Sequence, residues 1–217
     1  MRVPLKFKGL IFDHDGTLVD SLSVVVAATN TVLRTRGFSE RPAAEVVAGM
    51  VLPTAPRMVA IAGTADAALG EAMAVEFYRE ANRLPHLAFA YEGVVGTLQG
   101  LVDRGQRLAM VSNNQGRFIR IVGSRLGLLE FFPIVIGEED MPAPKPDPRG
   151  LIQAAAGLAL TATECAYVGD SPGDALAARA AGMAAIGCTW GIHHRSEMDA
   201  MGFDVLIDHP QELLALG

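Results

Sequence analysis

Short apolar runs and helix-spaced amphipathic stretches alternate along this chain, but not evenly. Residues 7–12 end in an apolar run, Gly9-Leu10-Ile11-Phe12, whose brevity and the polar cluster after it predict a buried central strand over 7–12. From Ser21 to about His86 strand signals are absent. Val24, Val25, Ala28, Val32 and Leu33 keep a helical spacing, and Glu71 to Arg83 predicts a second helix through Ala72, Val75, Phe77 and Tyr78. Pro42, Pro53, Pro56, Gly63 and Gly70 punctuate the region into four helices.

After Pro85 the period changes. Helices are predicted at 92–104, 116–126, 148–156 and 171–181, and strands at 107–111, 134–136, 165–168 and 184–186, with 205–207 and 211–216 closing the pattern. Such alternation implies an α/β fold, a doubly wound parallel sheet covered by helices on both faces. The expected organisation is a core of residues 1–20 and 87–217 with a helical insertion over 21–86.

Composition narrows this picture little but usefully. The 217 residues are half apolar, enough for one large domain or a main domain with an insertion. A formal net charge of -6 without runs of like charge argues against nucleic acid or an anionic membrane as the main partner. No stretch has membrane-spanning length, and residues 1–6 lead into the first strand without a signal-peptide core, so a soluble cytoplasmic protein is expected. Cys165 and Cys188 sit in apolar contexts and are read as reduced thiols, in neither a disulfide nor a metal site. After Lys8 every cationic residue but one is arginine, the exception being Lys145. A compact ammonium there does a different job from a planar guanidinium.

Each main strand stops at polar residues: Asp13-His14-Asp15-Gly16-Thr17, Ser112-Asn113-Asn114, and Gly169-Asp170-Ser171-Pro172-Gly173-Asp174. In a parallel sheet those ends share one edge, so they converge on one crevice, and Lys145 in Pro144-Lys145-Pro146 lies on a loop that can reach it. Asp13 and Asp15 stand one residue apart and repel unless a cation lies between them or one holds a proton. Asp13, Asp15 and Asp170 offer hard oxygen ligands suited to magnesium, while Lys145, the Ser112 hydroxyl and backbone N–H groups suit an anion. Such a set leaves Asp13, first off the strand, to attack a phosphoryl group, and Asp15 to donate a proton to the leaving alcohol and later take one from water.

These residues resemble the motifs of the haloacid dehalogenase superfamily, within it the phosphoglycolate-phosphatase-like group. Asp13 to Ser21 looks like the first motif, Ser112-Asn113 the second, Lys145-Pro146 the third, and Gly169-Asp170-Ser171 with Asp174 the fourth; Thr189-Trp190-Gly191 also fits the group. The resemblance implies a Rossmann-like core with a mobile helical cap at 21–86. It implies Asp13, Asp15 and Lys145 as catalytic, and Ser112, Asn113, Lys145, Gly16 and Thr17 as phosphate-binding. Its metal set is Asp13, the Asp15 carbonyl, Asp170 and a supporting Asp174, holding Mg2+. The substrate would be a small phosphorylated metabolite, phosphoglycolate-like or a sugar phosphate, and the protein a monomer or homodimer.

Alternatives stand beside this reading. Asp13 to Gly16 is also an ordinary polar turn, and Asp174 an ordinary first-turn acid of its helix. A phosphosugar mutase would return the phosphoryl group to sugar, and a non-catalytic binding module would keep the fold alone. His14 stands where the group usually has an apolar residue, and His193-His194-Arg195 follows the tryptophan where small residues are usual. His86, His193, His194 and His209 lack metal-ligand spacing, and Arg34, Arg36, Arg57, Arg79 and Arg83 are expected to be mostly solvated, with one of them a candidate for a substrate's remote anionic group.

Overall fold

The computed structural model describes residues 7–193 and 195–216, so the expectations for residues 1–6 and for His194 lie outside it. The chain divides into two compact units, Met1–Asp20 with Ala90–Gly217, and Ser21–Phe89. The first strand, β1 (Gly9–Phe12), is wholly buried.

The unit Ser21–Phe89 is helical: α1 (Leu22–Thr35), α2 (Ala43–Ala48), α3 (Thr54–Ala62) and α4 (Ala67–Ala81). Val24, Ala28, Val32 and Leu33 form the buried stripe of α1, and α4 packs against both α1 and α3. The N-terminus of α4 is capped by Asp66, whose side chain accepts the Leu69 N–H at 3.1 Å. Gly70 was expected to break the chain. Instead α4 runs through it, because a Cβ there would meet Val59 Cγ2 at 2.4 Å and the Ala55 carbonyl oxygen at 2.9 Å. The glycine lets two helices approach closely and is not a stop. The arginines of this unit also differ from expectation in one case. Arg34, Arg36 and Arg83 pair with Glu40, Glu76 and Glu80, whereas Arg57 is buried over the Phe77 ring at 4.7 Å. Burial pushes its guanidinium below the usual arginine range.

The other unit continues with α5 (Val94–Asp103), β2 (Arg107–Val111), α6 (Gly116–Arg125), β3 (Ile134–Ile136), α7 (Arg149–Gly157), β4 (Cys165–Gly169), α8 (Pro172–Ala181), β5 (Ala184–Cys188), α9 (Arg195–Met198) and β6 (Val205–Ile207). Six parallel strands stand in the order β3-β2-β1-β4-β5-β6. The chain fills the sheet outward from β1 on one side, then returns to fill the other. Residues 210–215, the segment that closes the pattern, form a 3₁₀ turn begun by Pro210.

Near-continuous burial along β1, β2 and β4 reflects helices on both faces. Ile11, Val111, Ile136, Leu151, Ala154, Tyr167 and Ala178 build one core layer beneath α7 and α8, and Phe12 and Val168 meet Val94, Leu98 and Leu213 on the other face. Register places Phe12 opposite Met110 on one side and Val168 on the other, so the carboxyl ends of β1, β2 and β4 lie level. Among the described residues no single helix is long and apolar enough to cross a membrane.

Candidate active site

Asp13 is the first residue past β1, and its N–H still donates to the Val168 carbonyl at 2.9 Å, so the strand geometry sets where its side chain emerges. Asp170 follows β4 in the same way. Asp13, Asp170 and Asp174 are all buried, and one carboxylate oxygen from each lies within 4.8 Å of the others.

Lys145 is the cation among them. Its Nζ is 2.9 Å from Asp13 Oδ1, and donates to Asp174 Oδ1 at 2.6 Å and to the Tyr167 hydroxyl at 2.7 Å. Tyr167 in turn donates to the Val111 carbonyl at 2.8 Å, which ties the ammonium to the sheet. Burial alone would lower the Lys145 pKa, but the Asp13 and Asp174 carboxylates outweigh it and hold the group above the usual lysine range, so it stays charged. Its backbone is fixed by one side chain: the Lys145 N–H donates to Asn113 Oδ1 at 2.7 Å, and Asn113 Nδ2 donates to the Lys145 carbonyl at 3.1 Å. The side-chain amide of Asn113, a residue expected to bind phosphate, thus holds the lysine loop from both ends.

Asp174 sits in the first turn of α8 and closes a capping box. Its Oδ2 accepts from the N–H groups of Asp170 and Ser171 at 3.2 and 2.9 Å and from the Ser171 hydroxyl at 2.7 Å, while the Asp174 N–H donates back to Ser171 Oγ at 3.3 Å. With Oδ1 on Lys145, both oxygens of this side chain already have donors. Asp13 and Asp170 are the members of the trio better able to accept a further cation.

The charge balance asks for one. If ionised, three carboxylates against one ammonium leave an excess negative charge in a buried place. Burial, against the pull of Lys145 and helped by Asp174 and Asp15, pushes Asp13 up to about 6. Burial together with the charges of Asp174 and Asp13 pushes Asp170 well above the carboxylate range. A set of hard oxygens in this condition fits a divalent cation such as magnesium.

Gly16 and Thr17, also expected to bind phosphate, lie in the turn after Asp15. The Gly16 N–H donates to the Val19 carbonyl at 2.9 Å, and the Thr17 hydroxyl donates to Asp170 Oδ1 at 3.3 Å. Gly16 has φ +77°, and a Cβ there would lie 2.2 Å from Asp170 Oδ2. The turn after Asp15 therefore seats Asp170. Ser112 is buried, and its Oγ accepts the Asn114 N–H at 3.3 Å, which leaves the hydroxyl hydrogen for donation.

Asp15 is reached by a residue that was given no role from the sequence: Asn114 Nδ2 donates to Asp15 Oδ2 at 2.8 Å. His14 is fully buried, edge-on to Phe118 with ring centroids 6.0 Å apart. Its Nδ1 lies 3.2 Å from the same Asp15 oxygen, without hydrogen-bond alignment. His193 Nδ1 approaches Glu197 at 3.8 Å.

Comparison with known proteins agrees with this arrangement. The family model described as haloacid dehalogenase-like hydrolase matches residues 10–188, which takes in Asp13, Asp15, Ser112, Asn113, Lys145, Asp170 and Asp174. A phosphoglycolate phosphatase of Xanthomonas campestris is 33% identical, with 98% of this chain and 96% of that protein covered. A phosphoglycolate phosphatase of Pseudomonas putida is 34% identical over 94% of this chain and 78% of its own length. Among solved structures, a putative haloacid dehalogenase-like hydrolase from Bacteroides fragilis superposes with a TM-score of 0.87 at 28% identity, covering 96% of this chain and 100% of that one. The chain belongs to the haloacid dehalogenase-like hydrolase family.

Proposed function

We propose that this protein is a magnesium-dependent phosphatase of small phosphorylated metabolites that works through an aspartyl-phosphate on Asp13. The observation that carries the reading is the buried trio Asp13, Asp170 and Asp174 around the Lys145 ammonium at the carboxyl end of a parallel sheet. The relatives named phosphoglycolate phosphatase support the reaction class, and a phosphoglycolate-like acid or a sugar phosphate is the substrate class we favour.

Asp13 and Asp170 would hold the magnesium with the Asp15 backbone carbonyl, and Asp174 would keep Asp170 and Lys145 in place. Bound magnesium supplies positive charge beside the phosphoryl oxygens as the phosphorus is transferred. Asp13 then attacks phosphorus while the bond to the alcohol breaks, and Asp15 gives the departing oxygen its proton. In the second half Asp15 takes a proton from water, which attacks the aspartyl-phosphate and frees Asp13. Lys145 stays charged throughout and offsets the phosphoryl negative charge, with the Ser112 hydroxyl donating to the same group. The unit Ser21–Phe89 occupies the chain position of the family's cap, and we assign it that role on this ground.

A panel of phosphate esters assayed with and without magnesium tests the reading. Turnover that requires magnesium and is lost in Asp13→Asn is expected. No release of phosphate from any ester, or undiminished turnover in Asp13→Asn, would overturn it.

A further inference from the structure

We propose that Tyr167 is a positioning residue for Lys145, its hydroxyl holding the ammonium in a set place relative to Ser112, the other side chain that meets the phosphoryl oxygens. The inference rests on the roles given to Lys145 and Ser112 above.

Tyr167 lies in β4, fully buried, in register with Ile11 of β1. Its hydroxyl reaches past that strand to β2 and donates to the Val111 carbonyl at 2.8 Å. A carbonyl can only accept, so the hydroxyl turns a lone pair toward Lys145, whose Nζ donates to it at 2.7 Å. Val111 ends β2, and its carbonyl belongs to the peptide unit that carries the Ser112 N–H, which donates to the Ile136 carbonyl at 3.1 Å. That unit is planar and is held on both sides. One hydroxyl thus refers the ammonium to the peptide from which the Ser112 side chain departs.

Lys145 is also drawn by two carboxylates, Asp174 Oδ1 at 2.6 Å and Asp13 Oδ1 at 2.9 Å. The pull of Asp13 changes during the reaction. As Asp13 bonds to phosphorus and the bond to the alcohol breaks, its negative charge is spent; it returns when the oxygen of water bonds to phosphorus and the bond to Asp13 breaks. The hydrogen bonds of Tyr167 engage no reacting atom, so its hold on the ammonium is the same in both half-reactions. Without the hydroxyl, the two carboxylates alone decide where Nζ rests, and it shifts toward them with its charge intact. Coulomb attraction varies slowly with distance, whereas a hydrogen bond weakens steeply with angle. The shift therefore costs more in the transition state, where the phosphoryl oxygens need aimed donors, than in substrate binding.

Phenylalanine fills the same space without the hydroxyl, so Tyr167→Phe is the direct test. Rates are measured with excess magnesium on the ester that the wild type turns over fastest. In the variant kcat should fall by about tenfold to a hundredfold while KM stays within about threefold. Inhibition by orthovanadate, which takes the five-coordinate geometry of phosphorus in transfer, should weaken by the factor lost in kcat, and inhibition by inorganic phosphate should stay within about threefold. Tyr167→Met also lacks the hydroxyl and carries the same expectations if the phenylalanine variant does not fold. A mere strut between β4 and β2 would lower the melting temperature and leave the kcat of the folded protein unchanged, and that result overturns this inference alone. Phosphate inhibition that weakens by the same factor as vanadate inhibition also overturns it, since the whole phosphate site would then have loosened. A wild type without magnesium-dependent turnover, or a Lys145→Met variant as active as the wild type, overturns the reading beneath the inference and the inference with it.

Discussion

The carboxyl cluster makes a prediction about stability that does not depend on any substrate. Asp13 is pushed from the ordinary 3.8 up to about 6, so between those pH values the folded protein holds a proton that the unfolded chain has released. Where the folded state binds more protons, stability falls as pH rises. The contribution is fully present below the unfolded value and is lost by the time pH has passed the folded one. A shift of a little over two units corresponds to about 3 kcal/mol at neutral pH.

Replacing Asp13 by Asn removes that titration and also the 2.9 Å contact to Lys145 as an ion pair. The ion pair forms only as Asp13 ionises and is already contained in its shifted pKa, so the informative quantity is the difference in stability between wild type and Asp13→Asn as a function of pH. Urea unfolding of both proteins in a chelator, from about pH 4 to about pH 7, should show the variant gaining on the wild type by about 2 kcal/mol. Excess magnesium should remove most of this trend, since a cation on Asp13 and Asp170 keeps both ionised and stabilises the folded state that binds it. A constant difference across the window, or a wild type that gains on the variant as pH rises, refutes the reasoning.

Lys145→Met leaves Asp13, Asp170 and Asp174 without their ammonium; unfolding in chelator near neutral pH should show a loss of about 3 kcal/mol or more, shrinking in mild acid as the carboxyls protonate. Gly16→Ala forces a side chain to φ +77° and against Asp170 Oδ2, so a thermal melt should report a loss of about 1–2 kcal/mol, and calorimetric titration a weaker magnesium affinity. Gly70→Ala, a change that in an ordinary helix interior stabilises by about 0.5–1 kcal/mol, should here destabilise by about 1–3 kcal/mol in urea, because α3 has no room for the methyl group.

What could be read in the sequence, and what could not, divides along a physical line. Strand ends were readable because an apolar run followed by polar residues has one meaning in a parallel sheet, and register then brings Asp13, Ser112 and Asp170 to a common edge whatever the loops do. Lys145 was readable because it is chemically out of place among arginines. The partners of these groups were not. Tyr167 is one of five buried residues of β4, and nothing in its neighbours says that its hydroxyl carries Lys145 to the Val111 carbonyl. Gly70 looks the same in sequence whether it ends a helix or admits a neighbouring one.

Asn113 and Asn114 make the limit plain. They are adjacent and identical, and the sequence offers no ground for separating them, yet the first grips the Lys145 backbone with both ends of its amide and the second splits its amide between Gln115 and Asp15. The difference is one of direction, set where the chain turns from β2 into α6 and by Glu138 donating to the second residue's carbonyl. His14 lies in the turn after β1, between Asp13 and Asp15. A ring there, fully buried with neither nitrogen hydrogen-bonded among the described residues, carries an unmet polar demand that an apolar residue would not. Its Nδ1 lies 3.2 Å from the Asp15 oxygen that Asn114 also holds, so that demand falls beside a carboxyl of the candidate site.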